Sequence, residues 1–309
     1  MKLSRQGFLR AAAAFVAAPV GVLLTDCGGA AADAAAPSPS PAPAPAPAAA
    51  PKSAKRGVAY DLASQADMAA LAPGVSWWYA WGTTPNLGAP ADAQSRYEMD
   101  FVPMVWGADF DDAQLVAWLK AHPQVEQLLV LNEPNIVDGQ ANLTPQQAAA
   151  LWPRYEAITQ QAGVQLVGPA VTWGTMPGFN DPVLWLDAFH AAYRAANGGR
   201  DPWIDALAFH WYDYGLDGQL NRLAKYGKPF WVTEMANWHA QVDGAQVDTP
   251  EKQQAQMADM VATCETRADV LRYAWFTGRV APDPHFSSLL AADGTLTALG
   301  TAYLGLPFA

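Results

Sequence analysis

Two glutamates, Glu133 and Glu234, each close a short apolar run: "QLLVLNEP" (Gln127 to Pro134) and "PFWVTEMA" (Pro229 to Ala236). Taking an ionised carboxylate out of water costs several kcal/mol unless the group is paired or needed. A single glutamate in such a place also suits a satisfied polar group at a sheet rim, bound to an arginine or to backbone amides. Two of them, each ending an apolar run, suit a pair working on one bond. Facing carboxylates can divide the cleavage of a glycosidic bond: one, protonated, gives its proton to the leaving oxygen, while the other, ionised, attacks the anomeric carbon. A separation of about 5 to 5.5 Å gives retention of configuration and a wider one, admitting water, gives inversion. The sequence leaves that distance open.

Eight apolar or aromatic runs could position such a pair. They are "RGVAYDL" (56–62), "VSWWYAWG" (75–82), "FVPMVWG" (101–107), "QLLVLNEP" (127–134), "QLVGPAV" (165–171), "ALAFHWY" (206–212), "PFWVTEMA" (229–236) and "LRYAWFTG" (271–278). None alternates polar with apolar, as befits parallel strands buried on both faces. Between several of them lie helix signals. Thr144, Pro145 and Gln147 form a start with a capping box and Gly163 a stop, with a kink expected at Pro153; Asp181-Pro182 and Thr249-Pro250 open two more helices, the first of these stopping at Gly198. Alternating strands and helices predict a (β/α)8 barrel, whose chemistry sits at the carboxyl ends of its strands. The residues closing the runs are then the candidates: Trp106, Asn132, Glu133, Trp173, His210, Tyr212, Glu234, Asn237 and Trp275.

The barrel is expected over residues 57–309, a usual length for that architecture. Residues 1–27 read as an export signal: basic Lys2, Arg5 and Arg10 precede an apolar stretch from Ala11 to Leu24. "SRQGFLR" resembles a twin-arginine signal with Gln6 at the second arginine, so twin-arginine and general secretion both stay open. "LLTDCGG" resembles a lipobox, which would make Cys27 a lipidation site; an ordinary cleaved signal is the alternative. Residues 28–56 read as a Pro/Ala-rich disordered linker. These features predict a protein secreted or exposed at a surface or in the periplasm, touching a membrane only through a lipid anchor. The chain holds 18 basic and 29 acidic residues, of which residues 1–56 take six and two, leaving 12 against 27 in the domain. That balance argues against nucleic acid as a partner. Only Cys264 remains there as a thiol, so no internal disulfide forms; His122, His190, His239 and His285 lack metal-ligand spacing, and no Gly-rich phosphate loop follows a strand. Asp109, Asp111 and Asp112 sit where a helix begins and are read as caps rather than a cation site. Neither metal nor cofactor is expected, and the protein is read as a monomer.

The succession "VLNEPNIVDGQANLTPQQAAALWPRY", "VGPAVTW", "ALAFHWYDY", "YGKPFWVTEMANW", "RYAWFTG" and "LLAADGTLTALGTAYL" resembles glycoside hydrolase family 128, the alkali-sensitive-linkage-protein-like barrels of clan A, from about Gly57 to Leu306. The resemblance implies retaining endo-cleavage of β-1,3-glucan, with Glu133 as acid/base and Glu234 as nucleophile. It further implies that Asn132 binds the hydroxyl beside the anomeric carbon and that His210 and Tyr212 orient the nucleophile. Sugar rings stack on indoles, making Trp78, Trp81, Trp106, Trp173, Trp211, Trp238 and Trp275 candidate platforms, Trp106 and Trp275 foremost. Trp118, Trp152, Trp185 and Trp203, in or beside helices, are expected in the core. Another β-linked exopolysaccharide as substrate and a non-catalytic glycan-binding barrel are the competing readings.

Overall fold

The computed structural model describes residues 51–61 and 64–308, so the expected signal, Cys27 and the linker before Pro51 lie outside the described residues. Each apolar run contains a strand. They are β1 (Arg56–Ala59), β2 (Trp77–Tyr79), β3 (Asp100–Phe101), β4 (Met104–Val105), β5 (Gln127–Val130), β6 (Gln165–Val167), β7 (Leu207–Trp211), β8 (Phe230–Met235) and β9 (Val270–Trp275). The third run yields two strands because Pro103 has no amide hydrogen for a ladder. Before it, the Val102 amide donates to Trp78 O; after it, the Leu129 amide donates to Pro103 O, each at 2.9 Å.

Every ladder is parallel. Instead of one eight-stranded ladder, the strands form a sheet in the order β3-β2-β1-β9-β8-β7 and another in the order β4-β5-β6. Isolated parallel bridges, Val167 to Ala206 and Val171 to Phe209, run between the second sheet and the approach to β7.

The helices are α1 (Gln65–Leu71), α2 (Ala93–Tyr97), α3 (Asp112–Ala121), α4 (Pro145–Ala162), α5 (Pro182–Ala196), α6 (Leu216–Leu223), α7 (Pro250–Thr266) and α8 (Ala298–Gly305). The capping box forms as read: Thr144 Oγ1 accepts from the Gln147 amide at 3.2 Å and Gln147 Oε1 from the Thr144 amide at 2.8 Å. Helix α4 runs on through Pro153 and ends at Gly163, φ 73°. Asp111, Asp181 and Thr249 cap α3, α5 and α7. Among the described residues no helix is long and apolar enough to cross a membrane.

Two apolar layers form because successive strand residues face opposite ways. The smaller gathers Ala59, Trp77, Tyr79, Leu129, Ala208, Trp231 and Ala274. Trp77 lies so close over Gly57 that a Cβ there would stand 2.3 Å from the indole. The larger layer takes alternate strand residues such as Trp78, Phe209, Tyr273 and Trp275 together with the helix faces.

The folded unit begins earlier than the linker expectation of residues 28–56 allowed, at Pro51. Lys52 Nζ donates to the carbonyls of Ala72 and Val75, just past the end of α1, and of Tyr97, the last residue of α2. Lys55 Nζ donates to those of Cys264, Glu265 and Arg267 at the end of α7. Arg56 reaches the Tyr303, Leu304 and Leu306 carbonyls at the end of α8. Cations suit these negative ends of the helix dipoles.

Candidate active site

Strand β5 ends at Val130, and the residues after it leave regular geometry: Leu131 has φ 59° and Glu133 φ 43°, a left-handed region that non-glycine residues seldom occupy. Backbone bonds to both neighbours hold the turn. Leu131 N donates to Val105 O, Asn132 N to Trp106 O and Glu133 N to Ala170 O, each at 2.9 Å. Asn132 and Glu133 are buried side by side, 1 % and 2 % exposed. Asn135 is structural: its Nδ2 donates to Thr172 O at 2.6 Å, tying this loop to the one after β6.

Glu234 comes from β8, where the register with β9 shifts between Val232 and Met235. Its Oε1 accepts from the Tyr79 hydroxyl at 3.0 Å and the Trp81 indole N–H at 2.9 Å, and the Tyr212 hydroxyl donates to Oε2. His210 Nδ1 stands 3.1 Å from Glu133 Oε1 and 3.4 Å from Glu234 Oε2. A carboxylate oxygen of each glutamate and a ring nitrogen of His210 thus lie within 4.8 Å of one another. Burial, and then the Glu234 charge, push the Tyr79 hydroxyl well above its ordinary range, so it stays a donor. Three donors thus converge on the Glu234 carboxyl. A cation would face their hydrogens, so this donor set suits an anion better than a metal site.

An aromatic wall borders the pair. Phe276 lies 5.8 Å from Trp81, 5.8 Å from Tyr212 and 5.6 Å from Trp238 between ring centroids. Trp238 also lies tilted against Tyr212 at 4.2 Å and stacks on His285 at 4.7 Å.

Residues 57–303 match the family described as the glycosyl hydrolase catalytic core. Among solved structures, the family 128 (subgroup II) endo-β-1,3-glucanase of Pseudomonas viridiflava is similar with 63 % identity and a TM-score of 0.82, over 84 % of this chain and 100 % of that one. The chain belongs to glycoside hydrolase family 128. A subgroup I endo-β-1,3-glucanase of Amycolatopsis mediterranei, in complex with laminaritriose, shares 29 % identity at a TM-score of 0.64, over 82 % of this chain and 100 % of that one. Alkali-sensitive linkage protein 1 of Schizosaccharomyces pombe is 25 % identical over 266 residues, which are 82 % of this chain but only 44 % of that relative's length. The protein is a glycosyl hydrolase.

In this family 128 enzyme the structure brings Glu133, Glu234, Asn132, His210 and Tyr212 together, with His210 against both glutamates rather than Glu234 alone. Three expected platforms, Trp275, Trp211 and Trp78, are corrected. Trp275 is fully buried, donates to Ser287 O at 2.9 Å and packs against Tyr303 of α8. Trp211 is 7 % exposed, stacks on Phe209 and donates to Tyr214 O. The reason is strand parity: Ala274 and His210 take the inward positions, which turns their tryptophan neighbours outward. Trp78 joins the outer layer for the same reason. Trp106 is half-buried beside Asn132, and Trp173 is exposed, with the Arg222 guanidinium 5.8 Å from its ring. Trp203, expected in the core, is 49 % exposed. The sequence reading missed Tyr79 and Phe276. Parity carried signals for both, since Tyr79 alternates with Trp78 and Phe276 follows the outward Trp275.

Proposed function

We propose that the protein is a retaining endo-β-1,3-glucanase in which Glu133 is the acid/base and Glu234 the nucleophile. The observation that carries this reading is the buried pair itself, with oxygens within 4.8 Å of each other and three donors fixed on Glu234. Glu133 gives its proton to the glycosidic oxygen as Glu234 attacks the anomeric carbon, breaking the C–O bond and forming a glycosyl ester. Glu133, now ionised, takes a proton from water, whose oxygen attacks the same carbon and frees Glu234 with configuration retained. Sequence likeness to endo-β-1,3-glucanases, one of them holding laminaritriose, supports the substrate. We also infer that the two sheets close as a (β/α)8 barrel, a reading supported by the continuity of β3 with β4 and by the bridges at Val167 and Val171. Export and acylation of Cys27 rest on the sequence alone, and metabolic labelling with a fatty acid tests them.

Hydrolysis of laminarin followed by NMR is the deciding experiment. β-Configured new ends and internal cleavage are expected, and Glu133→Gln and Glu234→Gln each lose at least about a thousandfold in kcat. α-Configured ends would replace the mechanism with inversion. Turnover of a different β-linked glycan, with laminarin untouched, would keep the chemistry and move the substrate.

A further inference from the structure

The Asn132 side chain is 1 % exposed, yet its Oδ1 has no hydrogen-bond partner. Its Nδ2 is committed, donating to Gln140 Oε1 at 2.8 Å. A buried amide oxygen left unpaired costs about 1–3 kcal/mol, and native proteins keep few of them. This one adjoins Glu133 at the reacting bond. The loop that brings Gln140 back to Asn132 is bent to do so. Asp138 has φ 69°, Gly139 φ 77° and Asn142 φ 48°, left-handed positions on either side of Gln140. The neighbouring Ala141 amide donates to Asn132 O at 3.0 Å, and the Leu143 amide to Pro134 O at 3.0 Å. Asn132 is therefore held twice by one segment, once through its backbone carbonyl and once through its side-chain NH2.

With Gln140 Oε1 facing it, Asn132 gives its NH2 to Gln140 and keeps its own oxygen unpartnered. We propose that Gln140 is a positioning residue that fixes the Asn132 amide with its oxygen as a free acceptor for a sugar hydroxyl. The ligand class is a pyranoside with a hydroxyl donor on the carbon next to the anomeric centre. The inference rests on the function proposed above. It adds that the hydroxyl donates to Asn132 Oδ1, so that Gln140, which does not touch substrate, controls how strongly the site discriminates for that hydroxyl. The bond strengthens as the anomeric carbon gains positive charge and the hydroxyl becomes a better donor.

The test compares an aryl β-laminaribioside with its analogue lacking the 2-hydroxyl on the ring that is cleaved, on wild type, Gln140→Met and Gln140→Glu. Methionine keeps the length and removes the acceptor; glutamate keeps an acceptor. Gln140→Met is expected to lower the ratio of kcat/KM values for the two substrates at least tenfold, mainly through kcat on the 2-hydroxyl substrate. Gln140→Glu is expected to keep that ratio within about threefold of wild type. A ratio unchanged in Gln140→Met, or lost equally in both variants, overturns the proposal even where wild type cleaves laminari-oligosaccharides with retention. Should wild type cleave neither substrate, the function proposed above fails alone, because the positioning has its own readout. The Asn132 side-chain NH2 signals in 1H–15N spectra should be protected from exchange in wild type and Gln140→Glu, and exchange at least tenfold faster in Gln140→Met. Equal protection in all three overturns it.

Discussion

Arg56 and the carboxylate site are both buried charged clusters, and they are finished in opposite ways. Arg56 is 1 % exposed, and each of its three nitrogens has found a partner: Nε on the Tyr273 hydroxyl at 2.9 Å, Nη1 on Tyr303 O at 2.7 Å and Nη2 on Leu306 O at 2.8 Å. Around Glu133 and Glu234, by contrast, Asn132 Oδ1 and His210 Nε2 are buried with no partner. A cluster that only stabilises the fold has every reason to satisfy its donors and acceptors. A cluster that must receive a substrate keeps some of that capacity in reserve, at a cost in stability.

That contrast can be broken from either side. The largest effect is expected at the reserve: Glu133→Gln and Glu234→Gln should each raise the barrier by about 4 kcal/mol or more, read as kcat. Their melting temperatures should be unchanged or higher, since glutamine keeps the shape of each side chain and relieves two carboxyls crowded in one buried site. A clear loss of stability in both would mean that the site serves the fold after all. At the satisfied cluster, Arg56→Met should cost about 3–5 kcal/mol in urea unfolding, because it strands Glu265 and the α8 carbonyls without their cation. The kcat of the folded fraction should not move. A smaller effect, about 1–2 kcal/mol, is expected for Trp275→Phe in the outer layer, with affinity for laminari-oligosaccharides unaltered; weakened binding would return Trp275 to the substrate side.

A third cluster sharpens the comparison through pH. Burial pushes the Glu156 carboxyl up, but Arg200, the Trp203 amide and the Tyr193 hydroxyl outweigh it and hold Glu156 below the ordinary carboxyl range. Its folded pKa is depressed, so its contribution is complete above the unfolded value near 4.5 and is lost as pH falls through the folded one. Glu156→Gln should therefore unfold more easily at neutral pH and show a shallower fall in stability below about pH 4.5. A fall as steep as that of wild type would remove Glu156 from the satisfied class.

Much of this was legible in the residues, and the illegible part has one main cause. Glu133 and Glu234 stood out because carboxylates are costly at the ends of apolar strands, and Thr144, Asp181 and Thr249 marked helix starts through local hydrogen bonds that need no tertiary context. Which way a tryptophan faces does need context. "RYAWF" holds four large side chains in five residues, and composition does not say whether Trp275 or Phe276 turns inward until Ala274 is seen to fill the inner layer. Gln140 escaped notice for a related reason. A polar residue in a loop is unremarked until a run of left-handed residues folds it back onto Asn132. The split at Pro103 was readable from proline's missing donor, whereas the use of Lys52, Lys55 and Arg56 was hidden by their place beside a low-complexity stretch.

Those three cations bear on where this enzyme can be cut. The family match starts at Gly57, and a chain begun there would keep every strand except the first residue of β1. It would nevertheless release the carbonyl ends of α1, α2, α7 and α8 together, the first two helices and the last two. Six residues from Pro51 to Arg56 act as a buckle, so the smallest stable catalytic unit is expected to start before Gly57, where the family match begins.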